Sequence, residues 1–177
     1  MITQYAVKGM LTDQKDEYYY LTVMNENYTH PDMPSGAGSN GANIIKGMYL
    51  FKEGGKDKKK GMRVQLTGSG TIFREVIAAA DLLRDDWGVE SDIWSAPSFN
   101  ELRRDGIDCE RWNLLHPMDE PRVPHVAACV NSKAGPLIAA TDYMRFFLSL
   151  PPSLNRYMPL MMFAPSEPAP GGISGCV

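Results

Sequence analysis

The sequence predicts an α/β fold: a doubly wound, mostly parallel (mixed) sheet. Three observations carry the prediction. "VQLTG" (Val64 to Gly68), "SDIWSA" (Ser91 to Ala96) and "PLIAAT" (Pro136 to Thr141) are short strand-like runs. Each is followed by helical spacing or a helix-start signal. Strands that alternate with helices in this way build parallel sheets with helices packed on them.

Taken in order, "YYYLTVM" (Tyr18 to Met24) is aromatic and β-branched, which predicts a strand. A loop rich in Pro, Gly, Asn and Ser is expected from Asn25 to about Asn43, followed by an extended segment, "IIKGMYLFK" (Ile44 to Lys52). "EGGKDKKKGMR" has the turn chemistry of a solvated connection, and its lysines (Lys56 to Lys60) form a soluble charge run that could attract an acidic partner. After the "VQLTG" strand, Ile72, Val76, Ala79, Leu83 and Trp87 recur at helical offsets and predict one apolar stripe, with Gly88 ending the helix. Burying the larger members of that stripe is worth roughly 1.5–3 kcal/mol each before entropy is subtracted.

After "SDIWSA", Ser98 stands three residues before Glu101, the reciprocal box that starts a helix. Gly106 is expected to end that helix, and "DCERWNLLHP" to form a second short one, capped by Asp108 and stopped by Pro117. Beyond the "PLIAAT" strand, Thr141 or Asp142 would cap a helix carrying Phe146 and Phe147. Trp87, Trp94 and Trp112 are expected as core or interface anchors.

The totals narrow the function classes. A chain of 177 residues with 44% hydrophobic and 22% charged residues can bury a real core as one domain, or one domain and a fragment of another. A net charge of −3 argues against a general nucleic-acid binder. No apolar run has the ~20 residues of a membrane helix, and Met1 to Met10 lacks the pattern of a signal peptide. Cys109, Cys129 and Cys176 are odd in number and widely spaced, which suggests reduced thiols and a cytoplasmic setting rather than a disulfide frame or zinc site; Cys129 reads as a small core residue.

Two glycine clusters invite comparison with phosphate-binding loops. Gly36, Gly38 and Gly41 spell G-x-G-x-x-G, but no strand precedes them and no helix start follows, so a flexible loop is expected. Gly68 and Gly70 have the strand-turn-helix context, yet Phe73 stands where the third glycine would permit close helix–sheet approach. A tight turn is the plainer reading there. The sharper one is an anion held at the helix start by Ser69, Gly70 and Thr71. In a parallel sheet the turns after all three strands share one edge, so Ser69, Thr71, Ser95 and Thr141 would line it.

Other chemistry is sparse. His30, His116 and His125 lack metal-ligand spacing and suit structural roles. Asp85–Asp86 and Asp119–Glu120 suit solvated ends of elements, and no nucleophile-elbow motif occurs. No catalytic, cofactor-binding or metal-binding residue is assigned.

Six runs go further: "YYYLTVMNENYTHPDMP", "IIKGMYLF", "VQLTGSGTIFREVIAAADLL", "SFNELRRDGIDCERWNLLHP", "PRVP" and "ATDYMRFF". Together, over about residues 5 to 147, they resemble the homodimeric-type decarboxylating component of the pyruvate dehydrogenase complex, in its C-terminal transketolase-like domain. The resemblance implies residues 1–34 as the tail of the central pyrimidine-binding domain plus linker, and 35–150 as the transketolase-like domain. It also implies a homodimer, a dihydrolipoyl acetyltransferase core as partner, and thiamine diphosphate with Mg²⁺ in the full-length family. The diphosphate and magnesium motif, the catalytic glutamate and the active-site histidines have no counterpart here, so the isolated chain is expected to bind neither cofactor and to be inactive.

Three departures stand out. The glycine loop around Gly36 to Gly41 looks expanded. In "NENYTHP" the histidine, His30, is one position later than expected. After about Leu148 the family's Gly-Thr-Asp-Gly-Phe-Gly-Arg-Ser run is replaced by a tail dense in Pro and Gly, so 151–177 is expected to lack the family's final strand and to leave a sheet edge uncovered. A frame change or truncation would account for it. Beside a dimerisation and support role, two readings stay open: a stand-alone anion-binding domain using the Ser69–Thr71 turn, and a split enzyme completed by a separate upstream chain.

Overall fold

The computed structural model describes residues 1–23, 27, 29–34, 37–55, 62–142 and 157–161. Its centre is a five-stranded sheet in the order β1 (Tyr49–Lys52), β3 (Glu90–Ser95), β2 (Arg63–Gly68), β4 (Leu137–Thr141) and β5 (Tyr157–Met161). β3, β2, β4 and β5 run parallel, and β1 closes one side antiparallel to β3. That is the mixed, mostly parallel sheet expected.

Alternation along the strands divides the core in two. Leu66, Ile93 and Ala140 meet Ile72, Val76 and Ala80 of α3 (Ile72–Trp87). On the other face Trp94, Leu137 and Ala139 meet Phe99 and Leu102 of α4 (Phe99–Leu115), and Val126, Ala127 and Val130 of α5 (His125–Val130). Gly68 lets α3 lie close to the sheet: a Cβ there would come within 2.8 Å of Val76 Cγ2. The close approach assigned in the fingerprint to a third glycine is thus provided by the strand's own last residue. Phe73, at that third position, packs edge-on against Phe51 with ring centroids 5.0 Å apart.

The buried stripe of α3 is rotated from the one expected. Ala80 is buried in place of Ala79, and Trp87 is 75% exposed. Phe73 and Ile77 join the packed face and turn the helix toward themselves. Gly88 ends α3 in the left-handed conformation (φ 64°), as its position predicts. The Ser98 cap also forms, its hydroxyl accepting from the Glu101 N–H at 3.2 Å.

Four expectations are corrected. Gly106 does not end a helix: α4 runs unbroken to Leu115, with Gly106 buried inside it and Asp108 in mid-helix rather than at a cap. Glycine's helix cost of about 1 kcal/mol is smaller than the packing on either side of it, where Leu102 and Cys109 are buried. The glycine loop contains a helix, α2 (Ala37–Ile45), so Gly38 and Gly41 are helical, and Ile44 and Ile45 end a helix instead of opening a strand. Burial of Ile44 supports that helix. Gly36 and Lys56 to Lys60 lie outside the described residues.

Tyr18–Val23 has no regular secondary structure, although its composition is that of a strand; Met24 is outside the described residues. It follows α1 (Ile2–Val7) and a π-helical turn, Lys8–Thr12. Lastly, the edge beyond β4 is covered. β5 pairs with it in parallel, Leu137 opposite Tyr157 and Thr141 opposite Met161, so the tail does contribute a strand. The expected helix with Phe146 and Phe147 lies outside the described residues.

Candidate functional site

The parallel register brings the C-terminal ends of β2, β3 and β4 to one edge: Gly68 stands opposite both Ser95 and Ala140. The next residues of β2 and β4 therefore meet. Ser69 Oγ lies 3.1 Å from Thr141 Oγ1, with Thr141 buried and Ser69 half-buried. Ser95 does not join them, because strand alternation puts it on the α3 face with Ile93.

Gly70 is exposed with φ 56° and open space where a side chain would stand. Thr71 occupies the cap position of α3 without a side-chain cap bond. The Phe73 and Arg74 amides turn back to the Gly70 and Thr71 carbonyls at 3.3 and 3.2 Å. Of the five predicted edge residues, Ser69 and Thr141 touch, Gly70 and Thr71 shape the turn, and Ser95 faces away.

A cleft of about 240 Å³ lies at the opposite edge, between β1, the start of β3 and α3. Its charges are taken up locally: Asp81 pairs with Arg84 at 2.8 Å and with Lys52 at 3.8 Å. It contains none of the predicted residues.

The polar cluster that sequence reasoning missed is inside the sheet. The Gln65 amide accepts from Trp94 Nε1 at 2.8 Å and donates to Asp92 Oδ2 at 2.9 Å and to the Ala134 carbonyl at 2.8 Å. Asp92 Oδ1 accepts from the Gly54 amide at 2.9 Å, with Arg63 Nη2 at 3.4 Å. Gln65 and Asp92 are each 1% exposed. The signal was a polar side chain at a position flanked by apolar residues, Gln65 between Val64 and Leu66 and Asp92 before Ile93 and Trp94. These bonds fasten the chain after β1 and before β4 to the middle strands.

His116, His125, Cys129 and Cys109 sit in packed or hydrogen-bonded settings, and Cys176 lies outside the described residues. His116 stacks on Trp112 at 4.4 Å, with Arg122 on the indole at 4.3 Å. His125 Nε2 lies 3.0 Å from the Met48 carbonyl, and the His125 amide donates to Asp105 at 2.6 Å. Cys129 Sγ is 3.6 Å from that ring, but burial pushes its thiol pKa up, away from a reactive thiolate. Burial also raises Cys109, followed by the charge of Asp105.

Among the described residues, no group of three or more His, Cys, Asp or Glu could hold a metal ion, and no helix is long and apolar enough to cross a membrane.

Comparison with known proteins agrees with this architecture. The family described as the transketolase-like TK C-terminal domain matches residues 47–157, and the pyruvate dehydrogenase E1 component middle domain matches residues 1–31. The chain is 58% identical over 147 residues to the pyruvate dehydrogenase E1 component of Cupriavidus necator, covering 83% of this chain and 16% of that protein. It is 53% identical over 148 residues to the Pseudomonas aeruginosa component (83% and 16%), and 51% identical over 136 residues to that of Escherichia coli K12 (76% and 14%). It thus spans about one-sixth of the length of these relatives. With helices on both faces of its mixed sheet and a match across most of its length, the chain belongs to the transketolase-like C-terminal domain family.

Proposed function

We propose that this chain is the C-terminal portion of a pyruvate dehydrogenase (acetyl-transferring) E1 component. Its role is to support and dimerise an enzyme whose thiamine-dependent decarboxylation of pyruvate is carried out by the rest of that component. The observation that carries the reading is the succession of two matches, to the E1 middle domain and then to the transketolase-like C-terminal domain, in one chain. In this reading residues 1–34 are the tail of the middle domain with its linker and 35–150 the body of the C-terminal domain, to which β5 adds a strand. A homodimer, and docking to a dihydrolipoyl acetyltransferase core in the cytoplasm, belong to the same proposal.

The described residues do not offer thiamine diphosphate or Mg²⁺ a fitting set of groups. Among the described residues there is no metal-ligand group. Asp92, the one buried carboxylate among the described residues, has both oxygens bonded, to Gly54 and Gln65. No step through the cofactor is assigned to this chain. At the sheet edge, the Ser69–Thr141 pair fastens the turn into α3 to the end of β4. The stand-alone anion-binding reading is not favoured, since both matches belong to one larger enzyme component.

The test is a hybrid of the C. necator relative in which the aligned stretch is replaced by this chain. Pyruvate decarboxylation within about tenfold of the parent is expected, because positioning errors that disturb a remote active site cost on the order of 100-fold. A soluble, cofactor-loaded hybrid without activity would refute the reading.

A further inference from the structure

The cleft between β1, the start of β3 and α3 has a buried polar atom at its floor that the fold leaves unpaired. Strand alternation turns Ser91 to the α3 face with Ile93, and both residues line the cleft. Ser91 is 7% exposed, and among the described residues its hydroxyl has no hydrogen-bond partner. A buried hydroxyl without a partner costs stability, and a molecule seated in the cleft is what would satisfy it.

The rest of the lining offers both signs of charge beside an apolar floor, where Ala80 and Ile93 are buried. Lys52 and Arg84 are its cations, and both reach Asp81 through the same oxygen, at 3.8 and 2.8 Å. Glu90 belongs to the wall and accepts from the Gly55 amide at 2.7 Å. Glu53, the third carboxylate, is matched by Lys133 at 2.7 Å. Two cations therefore stand against two carboxylates. A ligand of one sign would meet its own charge in the lining, whereas a ligand bearing both signs can match each. The wall is closely fitted: a Cβ on Gly54 would lie 2.8 Å from the Ser91 carbonyl oxygen. Every lining residue falls within the matched residues 47–157, so one domain builds the whole cleft.

We propose that this cleft binds a small zwitterion, an α-amino acid with a short aliphatic side chain. The ammonium meets Asp81 and Glu90, and the carboxylate meets Lys52 and Arg84. The side chain lies on Ala80 and Ile93, and Ser91 Oγ hydrogen-bonds to one of the charged groups. A volume of about 240 Å³ is smaller than drug-sized sites, which limits the side chain to a few carbons. Lys52, Arg84 and Asp81 are each about half exposed, so their attraction is screened and the affinity is millimolar. The assignment does not depend on the function proposed above.

L-Valine is the probe. Isovalerate and isobutylamine keep its branched skeleton but lack the ammonium or the carboxylate. Each is titrated into the ¹⁵N-labelled chain at constant ionic strength while NMR follows the Gly54, Gly55 and Ser91 amides. Valine should shift all three saturably, and each control should bind about tenfold more weakly, because it leaves one pair of charged groups unmatched. Ser91→Ala should weaken valine about tenfold without lowering the melting temperature, because the hydroxyl it removes has no partner in the fold. Asp81→Asn, at an exposed position, should weaken valine and isobutylamine but not isovalerate. No saturable shift, equal binding of either control, or undiminished binding by Ser91→Ala overturns the proposal. A lowered melting temperature in Ser91→Ala would give the hydroxyl a structural role and count against it.

Discussion

Gln65 uses both ends of its amide inside the sheet, accepting from Trp94 and donating to Asp92 and Ala134. Gln65→Leu would leave the indole N–H without its acceptor and the carboxylate short of a donor. Loss of about 2–4 kcal/mol is expected, because unsatisfied buried groups cost more than a hydrogen bond contributes. Urea unfolding of the variant measures it, and a change below about 0.5 kcal/mol would show the network to be dispensable. Tyr19 makes a second prediction. Its hydrogen bond to Glu17, followed by burial, pushes its pKa from 10.0 to about 12. An unfolded tyrosine ionises first, so the contact contributes fully below pH 10.0 and is lost as pH rises toward about 12. Glu17→Gln should return the Tyr19 phenol toward its ordinary range in an NMR titration; an unmoved titration curve would exclude the bond. The Tyr19 contact was not legible in the sequence, because it depends on how the first helix folds back. Gln65 and Asp92 were visible as polar residues beside apolar ones in their strands, but their pairing follows from a register that only the assembled sheet sets.

Among the elements, those whose signals are local were read directly. Ser98 caps α4, and Gly88 ends α3, because each signal and its effect lie within one turn. Ser98→Ala should cost about 1 kcal/mol in thermal or urea unfolding, with Glu101 left to hold the first turn. No loss would mean that packing of Phe99 and Leu102 alone sets the helix start. β2, β3 and β4 were legible because each is a short run bounded by turn residues and followed by a helix signal. Gly106 was misread as a stop. Its local cost is real, but the core lies on both sides of it, and packing outweighs propensity. "YYYLTVM" failed as a strand for the opposite reason: its propensity is right, but pairing needs a neighbour. β5 was missed because Pro159 and the surrounding composition argue against a strand, although an edge position tolerates proline.

On the scale of the whole molecule, periodicity carried the fold class and the resemblance carried the family; neither came from a catalytic motif. The edge residues illustrate the limit. Sequence order put Ser69, Ser95 and Thr141 on one edge, but the face each occupies depends on strand parity at the last residue, and that separated Ser95 from the other two. A supporting domain is built from packing and register, which leave few letters for recognition to read. In the proposed function the coenzyme is held by protein outside this chain. Calorimetric titration of thiamine diphosphate with Mg²⁺ into the isolated chain, beside the C. necator hybrid, decides the matter. Saturable binding to the hybrid and no binding heat from the isolated chain are expected; stoichiometric, Mg²⁺-dependent binding to the isolated chain would place the coenzyme site within these residues instead.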